Sequence, residues 1–89
     1  MTGKRVSLEQ VKVMAAFLAE PQGWFDSNAI GRKTEISGSS VRHFLFAFLR
    51  LGLLERVEVH GGYRYRLSPK AGTQPYFQRL QAAVAAMKP

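Results

Sequence analysis

Ser39, His43, Phe46 and Arg50 recur at intervals of four, three and four residues, with Arg42 beside them. On a helix turning about 100° per residue this spacing gathers the four on one side. Val41, Leu45, Phe48 and Gly52 fall on the other side, an apolar set suited to a core. The outward face is therefore polar and cationic, with one aromatic ring in it. Its chemistry is recognition: Arg pairs with phosphate or bidentately with guanine, His and Ser hydrogen-bond base edges or phosphates, and an apolar side chain meets a thymine methyl. Arg42 and His43 are the best placed for direct base contact. Phe46 needs a partner, which could be a thymine methyl, a second subunit or a neighbouring hairpin, unless the helix is rotated enough to bury it.

A second cationic group lies further on. Leu54 to Val59 and Tyr63 to Leu67 are rich in β-branched and aromatic residues and flank His60-Gly61-Gly62, which reads as a hairpin. A two-residue Gly61-Gly62 loop would put Val57 and Val59 on the face of Arg66 and Arg64. A three-residue loop, His60 to Gly62, pairs Val59 with Tyr63, Val57 with Tyr65 and Glu58 with Arg64, and is preferred. In that register Arg56, Arg64 and Arg66 form a row away from Val57, Val59, Tyr63 and Tyr65. Such a row suits phosphate or minor-groove contact, although a solvated strand face with a Glu58 to Arg64 pair would look the same. Arg32, Lys33, Lys4 and Arg5 could touch flanking phosphates or keep the domain soluble, and Ser37 and Ser40 join Ser39 as hydroxyl donors near the start of the helix.

The balance of 13 Lys+Arg against 6 Asp+Glu, a formal net charge of +7, attracts polyanions, of which nucleic acid is the commonest. Other chemistry has little support. There is no cysteine, which excludes disulfides, thiolate metal sites and thiol nucleophiles. Asp26, the sole aspartate, is placed to cap a helix, and no carboxylate pair, phosphate loop or nucleophile with its base is readable. His43 and His60 lack further ligands at metal-binding spacing. The reading is therefore a non-enzyme without cofactor or metal. No stretch approaches the roughly 18 apolar residues of a membrane span, and the basic start Met1 to Arg5 leads into an amphipathic segment, unlike a signal peptide. A cytoplasmic protein with no membrane partner is expected.

The elements that must hold these groups can be placed in turn. Ser7 and Gln10 have capping-box spacing with Val6 and Val11 as a hydrophobic staple, so a first helix starts at Ser7, with Leu8, Val11, Met14 or Ala15, and Leu18 inward until Pro21 and Gly23. Trp24-Phe25 is a short extended piece. Asp26 caps a second helix reaching Lys33 or Thr34, with Ile30 as core anchor. A turn at Glu35-Ile36-Ser37 leads to the third helix, from Gly38 or Ser39 to Leu51, closed by Gly52. A last helix over Pro75 to Met87 follows the hairpin. At 89 residues and 46% hydrophobic the chain suits a single domain, residues 1–89. It divides into a flexible basic arm (1–6), a helix-turn-helix (26–51), a hairpin (54–67) and a terminal helix (75–87).

This order is that of an α+β, mainly helical winged helix-turn-helix. Asp26 to Leu67 resembles the DNA-binding core of bacterial winged-helix transcriptional regulators such as the MarR and PadR groups. The resemblance rests on Ile30, Gly31, Ile36-Ser37, Ser40-Val41, Leu45, Phe48, Gly52 to Arg56, and Tyr63 to Ser68. It implies a recognition helix in the major groove, an Arg-bearing wing, and close crossing of the second and third helices at Gly31. Glu35 departs from the pattern, which usually has Gly in that turn. The resemblance also implies a bacterial, plasmid or phage source and a terminal helix that forms a homodimer, here through Tyr76, Phe77, Leu80, Ala83, Val84 and Met87; the same stripe could instead pack on the first helix. The function expected is sequence-specific double-stranded DNA binding as a transcriptional repressor. Its alternatives are a protein-interaction module docking through Phe46, Leu49 and Leu51, and a non-specific architectural DNA-binding protein.

Overall fold

The computed structural model describes residues 7–87; the basic arm with Lys4 and Arg5, and the staple residue Val6, lie outside the described residues. Helix α1, Leu8–Ala19, begins where the Ser7 hydroxyl accepts the Gln10 N–H at 3.2 Å. The reciprocal half of the capping box is replaced by a long-range contact: the Gln10 side-chain amide oxygen Oε1 accepts the Tyr76 hydroxyl at 2.6 Å, 66 residues on. Burial pushes the Tyr76 hydroxyl pKa up, partly countered by that hydrogen bond and by the Arg79 charge.

The inward face of α1 differs from the expected one. Val11, Val13, Met14 and Phe17 are buried, while Leu8 is 61% exposed and Leu18 only partly covered. A surface helix needs one apolar stripe, but α1 meets helices on more than one side. Its buried arc is widened and turned accordingly.

Helix α2, Ser27–Thr34, is capped by the Asp26 carboxylate, which accepts the Ala29 N–H at 2.7 Å. It ends at Glu35, whose φ of 61° and ψ of 31° place a non-glycine residue in the left-handed region. The pattern that usually supplies Gly at this turn therefore retains its geometry here with a strained residue. Left-handed backbone disfavours an L side chain by about 1–2 kcal/mol, and glycine's extra unfolded-state entropy offsets about half of that. Glu35→Gly should raise stability by about 0.5–1 kcal/mol, read as a rise in melting temperature of a few degrees; an unchanged or lower value would contradict this account of the turn. Gly31 matters less than expected, since a Cβ there would meet only the Ile36 carbonyl oxygen at 3.4 Å, ordinary contact.

Helix α3, Gly38–Arg50, starts under Ser37, whose hydroxyl oxygen accepts the Ser40 N–H at 3.4 Å. It stops at Leu51, and Gly52, with φ of 79°, turns the chain so that the Leu53 N–H reaches the Phe48 carbonyl at 2.9 Å. Strands β1, Leu54–Val59, and β2, Gly62–Leu67, form an antiparallel hairpin in a register one residue away from the expected one. Val59 pairs with Gly62, Glu58 with Tyr63, Val57 with Arg64, Arg56 with Tyr65, and Glu55 with Arg66. The loop is His60-Gly61, with Gly61 at φ 88°. The core sets this register: Leu54 and Tyr65 must share the buried face, which sends Val57 and Val59 outward. Phe25 extends the sheet by a single bridge, exchanging backbone hydrogen bonds of 2.9 and 2.8 Å with Tyr65.

After a turn of 3-10 helix at Ala71–Thr73, helix α4, Pro75–Met87, lies against α1. Phe77, Leu80 and Val84 are buried in the core shared with Val13, Met14 and Phe17, and Tyr76 and Ala83 are partly buried against it. The expected dimerisation stripe is thus mostly occupied within the chain: Phe77, Leu80 and Val84 cannot also face a second subunit while this core is intact. Met87 alone of the six is exposed, at 47%.

Candidate nucleic-acid interface

Helix α3 is held by its buried side, where Val41, Leu45 and Phe48 have no exposed surface. Packing fixes the helix about its own axis, so the other side is presented in a defined orientation. Ser39, Arg42, His43, Phe46 and Arg50 are all exposed there. The Arg42 guanidinium folds toward the start of the helix, with Nη1 3.4 Å from where a Cβ on Gly38 would stand, in keeping with the N-terminal tilt of helical side chains. Ser37 and Ser40 are tied to one another, the Ser37 hydroxyl reaching the Ser40 hydroxyl at 3.1 Å. Their first role is to start the helix.

The wing divides the three arginines that were expected to form one row. Residues directly opposite in an antiparallel pair share a face, so Arg56 lies on the side of Tyr65 and Tyr63, whereas Arg64 and Arg66 lie on the side of Val57 and Glu55. The expected Glu58 to Arg64 pair is absent, as Glu58 sits opposite Tyr63 and Arg64 opposite Val57. Each arginine has a different setting. Arg66 is half-buried, donates from Nε to the Glu55 carboxylate at 2.9 Å with a second, shorter bond from Nη2, and lies 4.4 Å over the Trp24 ring. It braces the root of the wing. Arg56 stacks 4.1 Å over Tyr63, and Arg64 is exposed without an ion pair among the described residues.

Because Arg56 is on the core side of the hairpin, it faces α3. Together with His43, Phe46, Ala47, Leu49 and Arg50 it lines a concave surface between α3 and the hairpin. The sequence did not reveal that Arg56 joins this surface, because that depends on the register; Leu49 was expected only as part of a protein-docking patch, and Ala47 carried no signal of its own. On α2, Arg32 is exposed, while Lys33 lies 3.7 Å from the Glu20 carboxylate and 5.3 Å over the Phe25 ring. Exposed Arg42, Arg50, Arg56 and Arg64 stand on α3 and the hairpin, whose two acidic residues are Glu55, paired with Arg66, and Glu58. This is the charge pattern of a surface that binds a polyanion.

His43, on α3, and His60, in the hairpin loop, lie on separate elements, and no group of three or more His, Cys, Asp or Glu side chains among the described residues could hold a metal ion. No helix among the described residues is long and apolar enough to cross a membrane.

No family model and no curated protein sequence matches the chain. Solved structures do match it. A possible transcriptional regulator from Methanosarcina mazei superposes with a TM-score of 0.68 at 23% identity, covering 91% of this chain and 72% of that one. MepR, a transcription regulator of the Staphylococcus aureus multidrug efflux pump MepA, gives a TM-score of 0.69 at 18% identity over 92% of this chain and 60% of its own. A MarR family transcriptional regulator from Silicibacter pomeroyi gives 0.66 at 16% identity, with coverage of 91% and 56%. The fold is therefore the winged helix-turn-helix found in MarR-family regulators. The chain spans little more than half the length of the latter two proteins.

Proposed function

We propose that this chain is a sequence-specific double-stranded DNA-binding transcriptional regulator that inserts α3 into the major groove and lays the hairpin along the neighbouring backbone or minor groove. One observation carries the reading: the buried side of α3 fixes Arg42, His43, Phe46 and Arg50 outward as a set, beside a wing that presents Arg56 and Arg64. An α-helix with this outward chemistry fits the major groove, and flanking arginines supply phosphate contacts. The similarity in fold to transcriptional regulators supports the reading.

The roles divide by position. Arg42 and His43 read bases. Ser39 and Arg50 contact base edges or phosphate, Ser37 and Ser40 contact phosphate as well as capping α3, and Arg32 and Lys33 meet flanking backbone. Arg56 and Arg64 are the wing's phosphate contacts; Arg66, already neutralised by Glu55, orients the wing. We further propose a homodimer that reads a two-fold symmetric site with half-sites about one helical turn apart and represses by covering a promoter. Its subunit contacts would come from Met87 and the edges of Tyr76 and Ala83.

Salt dependence tests the class of ligand. The affinity for duplex DNA should fall steeply between about 50 and 200 mM salt, and Arg56→Ala or Arg64→Ala should each lower the slope of log K against log salt by about 1 while weakening all sequences alike. Binding that is insensitive to salt would contradict the reading. It would favour protein docking through Phe46, Leu49 and Leu51, for which the exposure of Phe46 and Leu51 is the supporting observation.

A further inference from the structure

We propose that Phe46 is a specificity-determining residue that reads the 5-methyl group of a pyrimidine in the major groove; the inference rests on the DNA-binding reading above. Among the described residues three Phe, Tyr or Trp side chains are exposed: Trp24 at 37%, Phe46 at 50% and Tyr63 at 41%. Arg66 covers the Trp24 ring and Arg56 the Tyr63 ring. Phe46, the most exposed of the three, has no such cation and no aromatic partner among the described residues. It is not a displaced core residue, because Leu45 and Phe48 already fill the inward positions of this turn. Its ring is left for something outside the chain.

The surroundings indicate what that is. Apolar Phe46, Ala47 and Leu49 line one concave surface together with His43 and the cations Arg50 and Arg56. This mixed lining suits an apolar group carried on an anionic body. Of the groups that duplex DNA displays in the major groove, the pyrimidine 5-methyl is the apolar one. Thymine always carries it and cytosine carries it when methylated, so the shared chemistry is the methyl group. Arg50 lies one turn beyond Phe46, about 6 Å along the helix axis, which is within reach of a guanine or phosphate about two base pairs away.

The test uses the full chain and a duplex enriched by it from a random pool. Each thymine is replaced in turn by deoxyuridine, which pairs identically but lacks the methyl. Removing one buried methyl should weaken wild-type binding about fourfold at one position per half-site. Phe46→Ala should bind the thymine duplex more weakly and lose the preference, and Phe46→Leu, which keeps an apolar contact, should retain part of it. A second series compares cytosine with 5-methylcytosine at each cytosine. A preference in the uridine series identifies thymine as the source, and one confined to the cytosine series identifies the methylated base. Equal binding in both series, or a preference that survives unchanged in Phe46→Ala, overturns the assignment while leaving DNA binding intact. Failure to retain any duplex would overturn the DNA-binding reading and the assignment with it.

Discussion

Leu80→Asp is expected to unfold the domain rather than to separate folded subunits. Leu80 has no exposed surface and lies in the cluster that joins α4 to α1, among Phe77, Val84, Val13 and Phe17. Truncating a buried leucine removes about 2–5 kcal/mol, and an ionised carboxylate left unpaired in that site adds several more. A domain of this size has roughly 5–13 kcal/mol in all. Circular dichroism and proton NMR should show loss of cooperative folding, whereas Met87→Asp, at an exposed position of the same helix, should leave the fold intact. A folded Leu80→Asp protein of reduced assembly size would mean that the α4 stripe faces another subunit and that the core described here is wrong.

Arg42→Ala is expected to weaken binding to the preferred duplex by roughly 5- to 150-fold, the loss of about 1–3 kcal/mol for one bidentate base contact. Binding to random duplex should change only by the small amount that one lost charge contributes. The substitution is at an exposed position, so the melting temperature should hold. Arg42→Lys separates the two kinds of contact, because lysine retains the charge but not the planar fork that pairs with guanine. If Arg42 reads a base, the lysine variant resembles alanine on the preferred duplex and wild type on random duplex. A lysine variant equal to wild type on both would make Arg42 a phosphate contact.

Much of the fold was legible because its signals are local. Asp26 and Ser7 mark helix starts through side-chain hydrogen bonds to backbone three residues on, and Gly52 marks a helix end through a backbone conformation that glycine adopts readily. The outward face of α3 could be read from spacing alone, since Val41, Leu45 and Phe48 leave only one way to orient the helix. The hairpin register could not. His60-Gly61-Gly62 permits loops that differ by one residue, and Val57, Val59, Tyr63 and Tyr65 alternate equally well in each. Burial of Leu54 and Tyr65 decides among them, and that information is tertiary. The consequence for the site was large, because the one-residue shift moved Arg56 to the α3 side and gave Arg66 to Glu55.

The last helix shows a different limit. An apolar stripe of Phe77, Leu80 and Val84 reads the same whether it will cover the chain's own core or a second subunit. What sequence lacks is the position of α1, which lies against α4 and shares the buried cluster of Val13, Phe17, Phe77, Leu80 and Val84. Phe46 is the converse case: spacing placed it outward, and among the described residues neither a cation nor a second ring covers it.

Selection of a random duplex pool by the purified chain at about 150 mM salt, with sequencing of the retained fraction, tests the central claim most directly. Enrichment of a two-fold symmetric site is expected, and its loss when the selection is repeated with Arg42→Ala. Retention of duplex without any enriched sequence would contradict sequence-specific regulation, and retention of none would contradict DNA binding itself.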